Sequence, residues 1–312
     1  MTPEVLTVGR VSVDLYPEQV GVPLAEVRTF RKLLGGSPTN VAVAAARLGR
    51  RTAVVTKVGD DPFGAYVRKA LSEFGVDARL VGTHPRLRTP LAFCEIFPPD
   101  RFPLLFYREP KAPDLELGDD DLGAVASEAA LLWTTGTGLS AEPSRRTTLA
   151  ALGRRARRPI VVYDLDYRAT FWSSAEEAGR WNREALAFAT VVVGNAEEVS
   201  VTLGRELEAE QAARALLELG PELAVVKRGA DGVFAMSSSE TIAVPPVEIE
   251  VVNGLGAGDA FGGALCHGLL AGWPLERTLR YANAAGALVA SRLGCADDMP
   301  TAGEVEELLC AA

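Results

Sequence analysis

Near its C-terminal end the chain reads Gly254-Leu255-Gly256-Ala257-Gly258-Asp259-Ala260-Phe261-Gly262-Gly263-Ala264. This segment follows an apolar, β-branched run over residues 244–252 and opens a helical stretch rich in Ala and Leu. Glycines at a helix start let backbone N–H groups approach an anion, and the helix N-terminus adds about half a positive charge. Asp259 falls in the first turn, so the segment predicts a phosphate site with an adjacent carboxylate. A glycine-rich start used only for close packing is the alternative.

Two common phosphate motifs do not describe this segment. The chain contains no Gly-Lys-Ser or Gly-Lys-Thr, so it has no P-loop. Gly256-x-Gly258 lacks a third glycine at position 261 and lies far from the first βα turn, which excludes a dinucleotide fingerprint. We expect Asp259 to accept the proton of a substrate hydroxyl while the amides of 256–259 stabilise charge on a transferred phosphoryl group.

A second glycine element, Gly35-Gly36-Ser37-Pro38-Thr39-Asn40, comes directly before a predicted helix over 40–48. Paired glycines allow a close backbone approach, and the amide of Asn40 offers donors and an acceptor. A simple turn followed by a helix cap is the alternative. Two helices opened by glycines indicate that two halves of a ligand meet in one cleft.

Composition narrows the classes of partner. The chain has 312 residues, 48% of them hydrophobic, and a net charge of −9. Such an acidic chain is unsuited to nucleic acid or to an anionic membrane surface, so neither is expected as a partner. No apolar run reaches about 18 residues, and the start of the chain lacks a basic segment, so we expect no membrane span and no signal peptide. The four cysteines form no C-x-x-C pair, which is typical of reduced thiols in a cytoplasmic protein.

Short apolar segments alternate with helical ones along most of the chain, which predicts parallel βαβ units in one α/β domain over residues 1–312. The first strand is predicted over 5–8 and continued by 11–14. Later strands are predicted over 130–135, 160–164, 191–193 and 223–226, followed by shorter strands near 232–252. Helices are predicted over 143–155, 175–188, 196–203 and 209–219. Two early segments, about 15–34 and 87–109, carry strand patterns without a helix, so they predict a small β-sheet lid.

The glycine element with Asn40, the Ala-rich helix after it, and the late Gly256-Ala257-Gly258-Asp259 resemble the ribokinase-like (PfkB) carbohydrate kinases. The resemblance covers essentially the whole chain, with both motifs in the expected order. It implies a three-layer α/β/α sandwich with a small β-sheet lid, and an ATP-dependent kinase of sugars.

The resemblance also implies roles for individual residues. Asp259 corresponds to the catalytic base, and Gly256, Ala257 and Gly258 correspond to its anion hole. The positions that contact the sugar correspond to Asp14, Gly35, Gly36 and Asn40. In Asn195-Ala196-Glu197-Glu198, the ends match an element that places phosphate and Mg²⁺, with Glu198 on the metal. The nucleotide side corresponds to Asn195, Lys227, Gly229, Gly232 and Asn283.

One departure from the family concerns a monovalent cation. Relatives often carry an Asp-Thr-Thr sequence before Gly-Ala-Gly-Asp, whereas this chain has Asn253-Gly254-Leu255. Hard cations favour charged oxygen ligands, and here the carboxylate is missing. The sequence therefore leaves activation by a monovalent cation open.

Two arginines bear on the substrate. Arg108 ends a predicted lid strand, and Arg168 in Asp164-Leu165-Asp166-Tyr167-Arg168 follows a core strand, where α/β folds bind ligands. Arg can bind a carboxylate in a bidentate manner, so both residues are candidates for holding a sugar acid, with two ordinary surface arginines as the alternative. These stretches resemble kinases of keto-deoxy sugar acids, which implies a sugar acid and ATP as the small-molecule partners.

Relatives often pair through the lid sheet, so the resemblance implies a homodimer. Two other classes of function stay open at this point. A sugar or nucleotide sensor on the same fold would be expected to lose Asp259 or the anion-hole glycines, and both are intact. An NAD-dependent oxidoreductase is suggested only by the α/β rhythm and the glycines.

Overall fold

The computed structural model describes residues 2–311, and these divide into two compact units. Unit 1 contains the described residues up to Gly9 together with Leu115–Pro246. Unit 2 contains Arg10–Asp114 and the described residues from Val247 onward. The first strand of the chain therefore belongs with the middle of the sequence rather than with the residues that directly follow it. One domain over residues 1–312 stays a prediction.

The strands are mostly short, as expected for parallel βα repeats. In the described part of the chain they are β1 (Val5–Val8), β2 (Ser12–Pro17), β3 (Phe30–Gly35), β4 (Thr52–Gly59), β5 (Val76–Asp77), β6 (Val81–His84), β7 (Leu91–Cys94), β8 (Leu104–Tyr107), β9 (Leu131–Thr135), β10 (Ile160–Asp164), β11 (Val191–Asn195), β12 (Leu223–Lys227), β13 (Val233–Ser237) and β14 (Thr241–Val244).

Most of the helices were predicted from the sequence, but two short ones over 119–122 and 125–128 were not. Over residues 2–311 they are α1 (Ser37–Arg47), α2 (Pro62–Glu73), α3 (Asp119–Leu122), α4 (Val125–Glu128), α5 (Ser144–Arg155), α6 (Ala175–Leu186), α7 (Ala196–Leu203), α8 (Ala209–Glu218), α9 (Ala257–Ala271), α10 (Leu275–Ala290) and α11 (Ala302–Ala311). None of them combines the length and apolar character that crossing a membrane would require.

Unit 1 is built on a large sheet with the strand order β14-β13-β12-β11-β10-β9-β1. Strands β1, β9, β10, β11 and β12 run parallel, and β13 and β14 add antiparallel at the edge. The central strands are rich in Val and Leu and buried almost throughout, because parallel sheets are covered on both faces. Asp164, Asn195 and Lys227 end three of these strands, so they share the edge of the sheet at which such folds bind ligands.

Unit 2 holds the predicted small sheet, with the strand order β3-β2-β7-β8. β2 pairs antiparallel with β3 and parallel with β7, and β7 and β8 form an antiparallel hairpin. The two segments predicted as a lid, 15–34 and 87–109, therefore do meet in one sheet. Unit 2 also contains the parallel pairs β4 with β5 and β4 with β6, together with the closely packed helices α1, α9 and α10.

Two sequence-based boundaries are wrong for local reasons. Residues 11–14 do not continue the first strand, because Gly9 has a φ of 142° and the chain enters β2 of the small sheet. The apolar run over 244–252 is not a strand beyond Val244, because the next residues are Pro245 and Pro246, which cannot donate to a ladder. The short strands β5 and β6 were also missed, since neither shows a clear alternation.

The cysteines agree with the sequence analysis. All four lie within the described residues and none forms a disulfide. Cys94, Cys266 and Cys295 are buried, whereas Cys310 is exposed.

Candidate active site

Asp259 lies in the first turn of α9, as predicted from the glycine motif. The helix is capped by Gly256 in a left-handed conformation with a φ of 84°, which glycine adopts without steric cost. A Cβ at this position would lie 2.2 Å from the Sγ of Cys295, so the site also requires glycine for space. The positive end of the helix dipole favours the ionised form of a carboxylate placed here.

Both oxygens of the Asp259 carboxylate accept hydrogen bonds from buried side chains of α1. The Ser37 hydroxyl donates to Oδ1 at 2.7 Å, and Nδ2 of Asn40 donates to Oδ2 at 2.8 Å. The same Nδ2 atom lies 3.0 Å from the Sγ of Cys295, which in turn lies 3.9 Å from Oδ2 of Asp259. The structure thus brings the two predicted glycine motifs together around one carboxylate.

Close packing of α1 against α9 produces this meeting. Gly263 of α9 faces Ala44 of α1 so closely that a Cβ on Gly263 would lie 2.4 Å from the Ala44 Cβ. At the start of α1, Gly36 has a φ of 99°, and a Cβ there would lie 2.6 Å from the carbonyl oxygen of Arg10. Small residues at both places let the helix starts approach, so Ser37 and Asn40 reach Asp259.

Asp14 on β2 supplies a second buried carboxylate to this part of unit 2. Its Oδ1 accepts from the Ser12 hydroxyl at 2.6 Å. Burial raises the pKa of the Asp14 carboxyl to about 6, with the charge of Asp259 adding to the rise while Ser12 and Arg10 oppose it. A Cβ on Gly35 would lie 2.0 Å from Oδ1 of Asp14, so any larger residue at position 35 would clash with this carboxylate.

The predicted anion hole over 256–259 is smaller than expected. The amides of Asp259 and Ala260 both donate to the carbonyl of Gly256, at 3.0 and 2.9 Å. The amide of Asp259 is therefore engaged inside the first turn. Of the segment, this leaves Gly256, Ala257 and Gly258 as the part that an anion could approach.

The structure places Arg108 against a partner that sequence reasoning missed. Its guanidinium lies 2.5 Å from Oδ1 of Asp114, which is buried and also accepts from the Val11 amide at 3.1 Å. The charge of Arg108 is thus largely compensated within unit 2. Asn283, expected on the nucleotide side, lies half-buried in α10 of the same unit.

Asn253 begins the Asn253-Gly254-Leu255 segment, at which the sequence departs from the family resemblance. Its Nδ2 donates to the Leu293 carbonyl at 2.8 Å, and its Oδ1 accepts from the Leu255 amide at 3.1 Å. The buried side chain therefore joins two loops of unit 2 by protein hydrogen bonds.

Arg168 lies beyond the end of β10 in unit 1, among acidic side chains. It contacts Oδ1 of Asp166 at 3.3 Å and Oε1 of Glu198 at 3.9 Å. Asp166 is buried, has a φ of 28°, and accepts from the Thr137 hydroxyl at 2.7 Å. In the described structure the Nε of Arg168 is buried and has no hydrogen-bond partner. One third of the Arg168 side chain is exposed, so the guanidinium is oriented by protein groups and still accessible.

Asn195 and Glu198 form a capping box at the start of α7. The Glu198 amide donates to Oδ1 of Asn195 at 2.9 Å, and the Asn195 amide donates to Oε2 of Glu198 at 2.7 Å. Both residues thus have a structural role in the helix start. Mg²⁺ in kinases commonly keeps several waters and binds through one or two carboxylates plus phosphate oxygens, so a single carboxylate fits such an ion. The residues that the structure describes contain no cluster of three or more acidic, His or Cys side chains suited to a metal.

A cavity of about 490 Å³ opens beside the ends of β11 and β12. Gly229 and Gly232 bound a tight turn next to it, with φ values of 56° and 79°. A Cβ on Gly232 would lie 2.1 Å from the Val244 carbonyl oxygen. The cavity collects several predicted nucleotide residues, and its walls are Asn195, Ala196, Glu197, Val199, Ser200, Leu207, Glu208, Ala209, Ala212, Val226, Lys227, Arg228, Gly229 and Asp231.

Sequence reasoning assigned no role to Ser37, Cys295 or Asp114. Ser37 stands inside a quoted motif, so its position directly after the paired glycines was an available signal. Cys295 and Asp114 are distant in sequence from their partners, and no local pattern marks them.

Comparisons with known proteins identify the family. Residues 2–302 match the pfkB family carbohydrate kinases. A 5-dehydro-2-deoxygluconokinase of Shouchella clausii (strain KSM-K16) is 35% identical over 311 residues, which cover 98% of this chain and 95% of that protein. A protein of the same name from Listeria monocytogenes serovar 1/2a (strain EGD-e) is 32% identical, with 99% and 96% covered.

Solved structures give the fold. A fructokinase with bound ATP from Xylella fastidiosa superposes with a TM-score of 0.86 at 27% identity, with 99% of each chain covered. A putative ribokinase II from E. coli reaches a TM-score of 0.89 at 24% identity, covering 99% of this chain and 100% of that one. The fold is thus ribokinase-like, a mixed α/β architecture with one large and one small sheet, and neither an oxidoreductase nor a sensor is supported. This chain belongs to the pfkB family of carbohydrate kinases and is a sugar phosphotransferase that uses ATP.

Proposed function

We propose that this kinase phosphorylates a terminal hydroxyl of a keto-deoxy sugar acid, and that its substrate is 5-dehydro-2-deoxy-D-gluconate. The observation that carries the chemistry is the Asp259 carboxylate, held by Ser37 and Asn40 at the start of α9. The choice of substrate is supported by full-length relatives of that name at 31–35% identity. With this substrate the enzyme would serve myo-inositol catabolism, in the cytoplasm.

Asp259 acts as the general base in this proposal. A carboxylate oriented by two hydrogen bonds can accept the proton of an acceptor hydroxyl as that oxygen attacks the γ-phosphorus of ATP. The amides at Gly256, Ala257 and Gly258 stabilise the charge on the transferred group. Asp14 and Asn40 bind hydroxyls of the sugar, and Gly35 and Gly36 leave room for it.

Arg108 and Arg168 are each a candidate for binding the carboxylate of the substrate. Each guanidinium already contacts a protein carboxylate, so the substrate would share it rather than replace a solvent contact. The five N–H groups of arginine allow such sharing. Arg168 has the greater exposure and a buried Nε, which makes it the stronger of the two assignments.

For the nucleotide we propose the cavity in unit 1, with Asn195, Lys227, Gly229 and Gly232 around the phosphates and ribose. Asn283 of unit 2 is a separate candidate for contact with the adenine. Glu198 would hold Mg²⁺, which supplies charge neutralisation to the phosphates when bound. Because Asn253 is engaged with Leu293 and Leu255, we assign no monovalent-cation ligand to its side chain.

The small sheet of unit 2 is proposed to serve two purposes. As a lid, it would exclude water from the acceptor and so prevent hydrolysis of ATP. Its outer face would join a second copy of the chain in a homodimer. Leu105 and Tyr107 are 47% and 59% exposed, and Phe30, Phe93 and Tyr107 form edge-to-face ring contacts on the same face. Such an apolar face is typical of an interaction surface.

A substrate panel tests the proposal. ADP release is measured with 5-dehydro-2-deoxy-D-gluconate, 2-dehydro-3-deoxy-D-gluconate and fructose as acceptors, and NADH absorbance is the control for redox activity. We expect the highest kcat/KM with the first acceptor. A preference for 2-dehydro-3-deoxy-D-gluconate would instead favour the second candidate, a 2-dehydro-3-deoxygluconokinase, since that substrate presents a similar carboxylate. Equal or better turnover of fructose would overturn the sugar-acid assignment.

A further inference from the structure

We propose that Cys295 is a positioning residue, whose thiol fixes the amide of Asn40 so that its nitrogen holds Asp259 and its oxygen faces the acceptor hydroxyl. The inference rests on the proposed function, because it assigns Asn40 and Asp259 to the acceptor site. It adds a residue that the sequence motifs of the family resemblance do not include.

Both N–H bonds of the Asn40 amide point to acceptors. Nδ2 lies 2.8 Å from Oδ2 of Asp259 and 3.0 Å from the Sγ of Cys295. Both partners can accept, so each N–H bond has one. Asn40 and Cys295 are 4% and 2% exposed, so bulk water competes little for these two N–H bonds.

The Cys295 thiol keeps its proton in the folded protein. Burial raises the pKa of the Cys295 thiol, and the neighbouring charges of Asp259 and Asp14 raise it further. The sulfur therefore stays protonated at neutral pH. Sγ lies 3.9 Å from Oδ2 of Asp259, so the S–H bond can point at the carboxylate while a sulfur lone pair accepts from Asn40.

The contacts of Nδ2 also fix the position of Oδ1, the acceptor atom of the Asn40 amide. A flipped Asn40 would place its oxygen against the Asp259 carboxylate and leave the thiol without its donor, so the contacts select one orientation. In that orientation Oδ1 of Asn40 is buried and has no hydrogen-bond partner among residues 2–311. A buried acceptor without a donor is costly, and a ligand hydroxyl would satisfy it. The structure thus leaves one amide acceptor ready for a polyol.

Cys295 also contacts the start of α9, the helix that carries Asp259. Gly256 caps α9, and a Cβ on it would lie 2.2 Å from the Sγ of Cys295. The sulfur therefore packs directly on the residue that starts the helix. Simple filling of space is the competing explanation, and a pair of substitutions separates the two.

The experiment compares C295A, which loses the sulfur, with C295S, which keeps a group that both accepts and donates. Cys266 is also buried and lies on α9, and it provides the control variant C266A. Steady-state kinetics are measured with 5-dehydro-2-deoxy-D-gluconate, well below the unfolding midpoint of the least stable variant. For C295A we expect kcat/KM for the acceptor to fall about tenfold, the value of one lost hydrogen bond, while KM for ATP is unchanged. C295S should recover most of the loss, and C266A should match the wild type.

Two results would overturn the inference: wild-type kcat/KM in C295A, or the same loss in C295S as in C295A, which would mean that the sulfur only fills space. A cycle with N40A adds a further check, since C295A should have a clearly smaller effect on kcat/KM once the amide is gone. D259N in the same assay distinguishes a failure of this inference from a failure of the proposed function. If D259N is inactive while C295A has wild-type kcat/KM, only the role of Cys295 is rejected. Normal turnover of D259N would reject the proposed function itself.

Discussion

At the scale of single residues, Asp14 shows how burial sets the charge of a site. A carboxyl with a pKa of about 6 binds its proton more tightly in the folded chain than in the unfolded chain, where the value is 3.8. Its contribution to stability is therefore present below about pH 4 and is lost as the pH rises through 6. The shift corresponds to about 3 kcal/mol. At neutral pH the ionised Asp14 carboxylate is thus retained at the expense of fold stability.

The prediction for D14N follows from this sign. The amide carries no charge. As the pH rises from 4 to 7, the free energy of unfolding should therefore fall less for D14N than for the wild type. Urea unfolding across that range measures the difference in the free energy of unfolding. Curves that stay parallel from pH 4 to pH 7 would show that Asp14 titrates normally.

Arg168 gives a second prediction at this scale. R168A should raise KM for a sugar acid about ten- to a hundredfold, because a charge-assisted hydrogen bond contributes roughly 1.5–3 kcal/mol. KM for a neutral sugar should change little. Initial rates with both acceptors test this, and R214A on the exposed face of α8 serves as the control. Equal increases for acid and neutral acceptors would remove the carboxylate from the explanation.

At the scale of elements, the crossing of α1 and α9 controls how closely Asp259 approaches Ser37 and Asn40. G263A adds a methyl group 2.4 Å from the Ala44 Cβ and 2.8 Å from the Ala45 amide, so the helices must separate. Overpacking of this kind costs roughly 1–3 kcal/mol. We also expect kcat to fall, because Asp259 moves away from Ser37 and Asn40.

The matched control is G303A on α11, where a Cβ would meet no atom within 4 Å. It should be neutral or slightly stabilising, since alanine favours a helix over glycine. Thermal unfolding and kcat are compared for both variants. If G263A keeps the stability and kcat of G303A, the crossing does not position the base.

Elements with local signals were predictable from the sequence. β10 and α7 have the predicted bounds, because continuous apolar runs and an Asn cap mark them. The link between β1 and β2 was not predictable, since only the conformation of Gly9 separates two adjacent apolar runs into different sheets. The site divides in the same way. Asp259 and Asn40 stand in motifs, whereas the Cys295 thiol and the Asp114 carboxylate reach their places through tertiary packing alone.

At the scale of the whole molecule, the outer face of the small sheet predicts self-association. L105E places a charge on the exposed face of β8, so the proposed homodimer should dissociate into monomers. Light scattering coupled to size-exclusion chromatography, at several concentrations, measures the mass. V20E is the control, because Val20 is 46% exposed and lies outside the strands. A monomeric wild type, or an L105E variant that stays dimeric, would exclude this face as the interface.

The central claim is that Asp259 accepts the proton of the acceptor hydroxyl. The most direct measurement is single-turnover phosphoryl transfer by D259N, with ATP binding followed separately by calorimetry. Asn keeps the size of Asp but replaces one acceptor oxygen with an N–H donor and cannot take up the proton, so transfer should slow by about 10²–10⁴-fold. ATP affinity should stay unchanged. Transfer by D259N at close to the wild-type rate would contradict the account.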